Sequence, residues 1–133
     1  MTDDDLLSPE VLRIMRAWPE VYGPGPWTTG NAMLADGFLC GSGWYPLIER
    51  LSADLAAIIR HDGFNRFHII QVKEKFGELR FYVRGGNERA LTRIAEAMRE
   101  AETTCEACSA PGLIRTHDGW LSALCDGCLI ELR

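Results

Sequence analysis

The sequence predicts an α+β fold in which two or three helices pack on a β-hairpin or a small antiparallel sheet. Apolar residues recur at helical spacing between residues 44 and 59 and again between residues 91 and 98. Between these segments, residues 79–84 alternate apolar side chains with arginine and tyrosine, the period of a strand. The chain then ends in two Cys-x-x-Cys pairs, which predict a small C-terminal module of a different kind.

Composition fits one main domain with that module attached. The chain has 133 residues, of which 47% are hydrophobic and 25% charged, as in an ordinary globular domain. We expect a body at residues 1–102, made of an N-terminal helix and loop (1–42) and a helix–hairpin–helix unit (43–102), followed by the module at 103–133. The formal net charge of −5 argues against indiscriminate attraction to phosphate backbones.

The N-terminus and the hydropathy pattern predict a cytoplasmic protein with no membrane partner. "MTDDDLL" places acidic residues where a signal peptide has basic ones, and no apolar run approaches the length of a membrane span. In a reducing cytosol, cysteines act as metal ligands more often than as disulfides.

The first helix is expected to begin after Ser8, whose hydroxyl can cap it, and to end near Trp18 because Pro19 cannot continue it. The glycine- and proline-rich residues 23–31 predict a loop, and Trp27 in that loop predicts that it packs back on the body.

The second helix is predicted to follow Ser42 as its N-cap and to end at Gly63. The Gly41-Ser42-Gly43 turn also permits an anion-binding interpretation, but no convincing strand precedes it and no Lys-Ser/Thr follows it, so a glycine loop leading into a capped helix is favoured. Cys40 is expected to be a small buried hydrophobic residue. The apolar positions of the helix are Trp44, Leu47, Ile48, Leu51, Leu55, Ile58 and Ile59.

A hairpin and a third helix complete the predicted body. The strand at 79–84 should pair with residues 67–74 through a turn at Phe76-Gly77. The adjacent Ile69 and Ile70 point to opposite faces, which indicates a strand inside a sheet. The helix is expected at 87–102, with Leu91, Ile94, Ala95 and Met98 as its apolar positions.

The cysteines form the pattern C-x2-C-x16-C-x2-C, which is typical of a structural zinc site with four thiolate ligands. The segment between the pairs predicts a hairpin that turns at residues 117–119, and the second pair opens a short terminal helix. This order of knuckle, hairpin and helix is that of a treble-clef or zinc-ribbon module. The predicted ligands are Cys105, Cys108, Cys125 and Cys128.

Other uses of the cysteines are less favoured. A redox-active dithiol needs only one pair. Iron held by four thiolates, as in rubredoxin, uses the same ligands and stays open as an alternative. A catalytic zinc keeps one position for water, whereas four thiolates fill the coordination sphere. His117 is expected to be an exposed turn residue and not a ligand.

Three classes of function remain, and the sequence favours non-catalytic binding to a protein partner, as in an adaptor, inhibitor or antitoxin. Exposed aromatic residues and the absence of an evident nucleophile support this hypothesis. A nucleic-acid-binding zinc protein is the alternative, because basic and aromatic residues alternate on the hairpin, although Glu74 and Glu78 can neutralise them. The partner-binding candidates are Lys73, Lys75, Phe76, Arg80, Tyr82, Arg84 and Trp120.

A metal-dependent nuclease is the least favoured class. Asp62 and the Gln71-Val72-Lys73 segment follow the order of acid, then (E/Q)-x-K, of some nucleases, but such short patterns arise by chance. His61 and His68 have no identifiable triad partner. An exposed hairpin edge also makes a homodimer possible.

The hairpin "QVKEKFGELRFYV", followed by a helix and then "CEAC…PG…GW…LCDGC", resembles a group of small uncharacterised proteins of bacteria and their phages. The resemblance covers roughly residues 43–128. It implies a bacterial or phage origin and a cytosolic setting, implies no activity, and mildly favours stoichiometric binding to a protein such as a host or defence enzyme. Ser109 stands where glycine more often follows the first knuckle, and Cys128 where histidine also serves.

Overall fold

The structure is a computed structural model that describes residues 7–27, 34–64 and 66–132. Within these ranges the chain is α+β, as the sequence predicts. The elements in chain order are α1 (Pro9–Ala17), α2 (Pro19–Tyr22), β1 (Phe38–Leu39), α3 (Tyr45–Asp62), β2 (His68–Lys75), β3 (Glu78–Arg84), α4 (Glu88–Ala101), β4 (Leu113–His117), β5 (Trp120–Leu124) and α5 (Asp126–Glu131).

A three-stranded sheet in the order β1-β2-β3 forms the centre of the body. β2 pairs antiparallel with β3, which confirms the predicted hairpin, and parallel with β1, which the sequence did not predict. A strand of two residues is too short to show a period, so only the fold reveals β1. Because α3 connects β1 to β2, it is the crossover that a parallel pair requires. β2 is therefore the inner strand, as its adjacent isoleucines indicated.

The N-terminal segment packs against α3 and the sheet. Ser8 caps α1 as predicted, since its hydroxyl accepts a hydrogen bond from the Val11 amide at 3.2 Å. Pro19 ends that helix but also starts α2, a four-residue helix that was not predicted. Trp27 is buried and its indole N–H donates to the Tyr22 carbonyl at 2.7 Å, so the loop does pack back. The acidic start of the chain and residues 28–31 of the predicted loop lie outside the described residues.

The start of α3 differs from the prediction. Ser42 does not cap it: residues Ser42–Trp44 form a 3₁₀ turn, and α3 begins at Tyr45 without a side-chain cap. Pro46, within the first turn of α3, needs no amide partner there. The helix ends at Gly63, which is left-handed (φ 75°) as expected. Six of the seven predicted apolar positions are buried and Ile58 is half-buried.

The core-facing side of α4 is rotated about the helix axis relative to the predicted side. Asn87 caps the helix through a 3.0 Å bond from the Ala90 amide. Three alanines and Ile94 face the core and let the helix approach the sheet closely, whereas Leu91, predicted to be buried, is 49% exposed. The buried positions are Ala90, Ile94, Ala97 and Ala101.

The C-terminal segment folds as knuckle, hairpin and helix. β4 and β5 pair antiparallel through a turn at Asp118-Gly119, and α5 follows at once. Ala123 belongs to the hydrophobic core of the body, and the Trp44 indole donates to the Thr104 carbonyl at 2.9 Å, so contacts cross the boundary predicted at residue 103. Of the helices described, none combines the length and apolar character that a membrane span requires.

Candidate metal centre and hairpin face

The local backbone geometry brings the four cysteine side chains close together. The first pair lies in a tight knuckle, closed by hydrogen bonds from the Cys105 amide to the Ala110 carbonyl (2.7 Å) and from the Ser109 amide to the Cys105 carbonyl (3.0 Å). The β4–β5 hairpin then reverses the chain. Cys125 is the N-cap of α5, and its sulfur accepts a hydrogen bond from the Cys128 amide at 3.4 Å.

The cluster has the dimensions of a four-thiolate metal site. The four sulfur atoms lie within 4.8 Å of one another, and Cys108 Sγ is 3.6 Å from Cys125 Sγ. A tetrahedral ion with bonds of about 2.3 Å to sulfur separates its ligands by about 3.8 Å, so the observed spacing fits. All four cysteines are free, which agrees with a spacing too long for a disulfide. The cluster is therefore able to hold a metal ion.

The pKa values of the Cys105 and Cys128 thiols are shifted in opposite directions. Burial alone would raise the pKa of Cys105, but hydrogen bonds at the backbone of Cys125, Cys108 and Ala107 outweigh burial and lower this pKa to about 6. The pKa of Cys128 is raised, chiefly by its contact with the Cys125 sulfur and then with those of Cys108 and Cys105. Four converging sulfurs repel one another as thiolates, and a bound cation removes that repulsion.

His117 lies outside this cluster. It is the last residue of β4 and half-buried, not an exposed turn residue as predicted, and its Nε2 is 3.2 Å from the Ser122 hydroxyl. Cys40 is only partly buried; burial, with the nearby carboxylates of Glu106 and Glu74, raises its pKa to about 12. Neither residue extends the ligand set.

The glycine turn before α3 packs against the knuckle, which uses the amides of both glycines. The carboxylate of Glu106 accepts a hydrogen bond from the Gly41 amide, and its carbonyl accepts one from the Gly43 amide, both at 2.7 Å. A Cβ on Gly43 would lie 2.4 Å from the Cys105 carbonyl oxygen, so the close approach requires glycine. A short strand, β1, does precede the turn, but these amides are already used.

Ser109 joins the knuckle to the body. It occupies the left-handed region (φ 73°), which explains why glycine suits this position, and its hydroxyl donates to the Gly43 carbonyl at 2.6 Å. The serine thus adds a hydrogen bond that glycine cannot make.

The predicted basic residues share one face of the hairpin, which we call the outer face. Val72 and Phe81 are paired and buried under the helices, so the alternate positions of β2 and β3 point away from them. Lys73 is directly opposite Arg80, and its ammonium group lies 6.0 Å from the centre of the Tyr82 ring. By the same alternation, the outer face carries Gln71, Lys73, Lys75, Glu78, Arg80, Tyr82 and Arg84.

Of the two acidic residues expected to neutralise these charges, only one lies on the outer face. Glu78 lies there and forms an ion pair with Arg80 at 2.6 Å. Glu74 alternates to the opposite face, where its carboxylate accepts the Gly77 amide at 2.8 Å. Among the described residues, no carboxylate forms an ion pair with Lys73, Lys75 or Arg84, although the prediction favoured neutralisation.

Phe76 stands at the tip of this hairpin in an unusual conformation. Phe76 and Gly77 form the two-residue turn with φ of 57° and 81°, the signs of a type I′ turn. Left-handed backbone is uncommon for a bulky side chain, and this one is 62% exposed. Lys75 lies beside it, with its ammonium group 5.5 Å from the ring centre.

Other candidate residues lie apart from this face. The carboxylate of Asp62 accepts hydrogen bonds from Asn87 (2.7 Å) and Arg89 (2.8 Å), and so joins α3 to α4. Lys73 lies on the outer face, opposite the side that the helices cover, so the nuclease pattern is not assembled. Trp120, at the tip of β4–β5, is 72% exposed.

Sequence reasoning missed most of the exposed apolar side chains of the C-terminal module. Besides Trp120, large apolar side chains of β4, of β5 and of the segment from α5 to residue 132 are exposed, and only the fold shows that the body does not cover them. They are Leu113, Ile114, Leu121, Ile130 and Leu132.

In comparisons with known proteins, no family model, no curated protein and no solved structure matched this chain. The geometry of the cluster and of the outer face is therefore the basis for a function.

Proposed function

We propose that the protein is a non-catalytic module, stabilised by structural zinc, that binds an acidic surface of a protein partner stoichiometrically, as an adaptor, inhibitor or antitoxin does. The outer face of the β2–β3 hairpin and Phe76 at its tip form the binding surface. The resemblance to bacterial and phage proteins supports stoichiometric binding to a protein partner.

Zinc is the metal that the ligand set favours. Four thiolates are soft ligands, and the knuckle–hairpin–helix arrangement fills all four positions of a tetrahedral ion. The site then leaves no position for substrate, so its role is to fix the fold. Iron uses the same ligands and is distinguished by its absorption spectrum.

Phe76 is the observation that carries the proposal. A phenylalanine in left-handed backbone that is mostly exposed costs stability and buries little apolar area in return. Asparagine or glycine would form this turn with less strain. Strain that the fold does not need is typical of a residue kept for contact with another molecule.

Charge determines the kind of partner. Lys73, Lys75 and Arg84 lack ion-pair partners within the described part of the chain, while the whole chain has a net charge of −5. A local basic face on an acidic protein suits a partner with a matching acidic patch, because long-range attraction to a polyanion is weakened by the net charge.

The test is a capture experiment with purified tagged protein and nuclease-treated host lysate at physiological salt. The variant Lys73→Glu/Lys75→Glu should lose the stoichiometric partner, whereas Arg16→Glu/Arg99→Glu, which changes the net charge equally at exposed sites elsewhere, should retain it. Equal capture by both variants would refute the outer face as the binding surface.

Single-stranded nucleic acid is the second candidate, because Tyr82 and Phe76 beside lysines are also a stacking surface. Titration of the purified protein with a labelled oligonucleotide at two salt concentrations separates the candidates. Micromolar binding that weakens steeply with salt, and that is lost in Lys73→Glu/Lys75→Glu, would replace the protein-binding proposal.

A further inference from the structure

We propose that two copies of the chain associate through the free edge of β3 and the neighbouring flank of α4, giving one continuous six-stranded sheet. The occupant of this edge is a second copy related by a two-fold axis at Phe81. This inference does not rest on the partner proposed above, because the interface uses the edge of β3 and leaves Lys73, Lys75 and Phe76 uncovered on both copies.

The edge of β3 offers a complete set of unpaired backbone groups. β3 is the last strand of its sheet, with β2 as its one neighbour. Because Lys75 and Glu78 close a two-residue turn, the Glu78 amide points inward to β2, and the direction alternates from there. The amides and carbonyls of Leu79, Phe81 and Val83 therefore point outward, where the described part of the chain supplies no hydrogen-bond partner.

These outward groups set the register of a second copy. An antiparallel pair centred on Phe81 places Leu79 opposite Val83 of the second copy, so all the outward groups of both strands are hydrogen-bonded. Exposed strand edges of this kind pair readily unless something blocks them.

The side chains on the outer face are complementary to themselves in the same register. Glu78 faces Arg84 of the second copy, and Arg80 faces Tyr82, so opposite charges and a cation–aromatic pair lie directly across the interface. A parallel arrangement in register would instead place Arg84 against Arg84 and Arg80 against Arg80. The charge pattern thus selects the two-fold antiparallel arrangement.

The exposed flank of α4 lies above this edge. One side of α4 is joined to α3 by ion pairs, including Arg93 with Asp54 at 2.8 Å. α4 contacts both α3 and β3, the last strand of the sheet, so we infer that the side of α4 turned away from α3 lies over the free edge of β3. That side carries Leu91, with half-buried Ala95 and Met98 one and two turns further along, and α4 of the second copy would cover it.

Sedimentation equilibrium of the metal-loaded protein across micromolar concentrations tests the arrangement. The wild type should approach twice the chain mass of 14.9 kDa. Arg84→Glu places two carboxylates opposite each other at both ends of the interface and should weaken the dimer on the order of tenfold. Glu78→Arg/Arg84→Glu exchanges the charges and should restore most of the affinity.

Leu91→Lys should also weaken the dimer, and Thr92→Lys, on the solvent side of α4, is its matched control. Circular dichroism and metal content verify that each variant is folded. A monomeric wild type would overturn the proposal, as would a dimer that neither Arg84→Glu nor Leu91→Lys weakens. Equal weakening by Leu91→Lys and Thr92→Lys would exclude the α4 flank from the interface.

Discussion

At the scale of single residues, Ser52 shows how the core accommodates a polar group. Its hydroxyl is fully buried and donates to the Ile48 carbonyl at 2.7 Å. Since that bond uses its one proton, the 2.6 Å contact with Tyr22 has the tyrosine as donor. The Tyr22–Ser52 hydrogen bond links α2 to α3, and both buried hydroxyl groups have a hydrogen-bond partner.

Because Tyr22 is buried in this arrangement, we expect the protein to lose stability at alkaline pH, where tyrosine ionises. Burial raises the pKa of Tyr22 well above its ordinary value of 10.0, because the charged phenolate would lose its hydration in the core. The folded state thus keeps a proton that the unfolded chain releases above pH 10. The contribution of Tyr22 to the free energy of unfolding is fully present below pH 10. Above pH 10 it falls by about 1.4 kcal/mol per pH unit.

Urea unfolding of the wild type and Tyr22→Phe at several pH values measures this effect. Near neutral pH the variant should be less stable by about 1 kcal/mol, the contribution of one hydrogen bond. Above pH 10 its stability should fall less steeply than that of the wild type. Parallel pH profiles would show that Tyr22 does not titrate with unfolding.

At the scale of elements, the turn of the β2–β3 hairpin places Phe76 in a left-handed backbone conformation that phenylalanine disfavours. Phe76→Asn should raise the free energy of unfolding by about 1 kcal/mol, because asparagine tolerates left-handed backbone better. The same variant should bind the partner more weakly if Phe76 contacts it. Urea unfolding and the capture experiment provide the two measurements.

Gly77→Ala is the contrasting variant of the same turn. Its φ of 81° disfavours alanine, and a Cβ there would approach Ile114 Cγ2 to 3.0 Å, so stability should fall. An unchanged or lowered stability of Phe76→Asn would mean that the phenylalanine supports the fold and is not held under strain for binding.

The elements with long periodic patterns were predicted from sequence, and those defined by tertiary contacts were not. The period of α3 and the alternation in β3 are local properties, as is the spacing of the four cysteines. β1 exists because β2 pairs with it, and Ser42 is not a cap because the adjacent glycines pack on the Glu106 backbone. Leu91 is exposed because α4 turns Ala90, Ile94, Ala97 and Ala101 toward the core and leaves Leu91 outside that face.

At the scale of the whole molecule, the cysteine cluster and the body form one structure. Cys105 is fully buried, and its neighbour Glu106 binds the amides of Gly41 and Gly43 about 65 positions earlier in the chain. Ser109 returns a hydrogen bond to the Gly43 carbonyl. The 3₁₀ turn that leads into α3 is thus held by the same knuckle that supplies two of the four cysteines.

Loss of the metal should therefore loosen the body as well as the C-terminal module. Cys108→Ser removes one ligand, and we expect loss of bound zinc, measured by mass spectrometry, and a lower Tm. Because the knuckle then opens, hydrogen exchange at the Gly41 and Gly43 amides should accelerate on the order of tenfold or more, although neither residue belongs to the module.

Cys40→Ser is the matched control, since it changes a cysteine adjacent to Gly41 that is not a ligand; zinc content and exchange should stay near those of the wild type. If Cys108→Ser lost its zinc and Gly41 and Gly43 nevertheless stayed protected, Glu106 would hold the start of α3 without the metal. In that case zinc would order only the last thirty or so residues, and the outer face of the hairpin would keep its shape in the metal-free protein. Faster exchange at both amides would instead make the metal a condition for the whole binding surface, because the tip of the hairpin packs on β4 through Gly77 and Ile114.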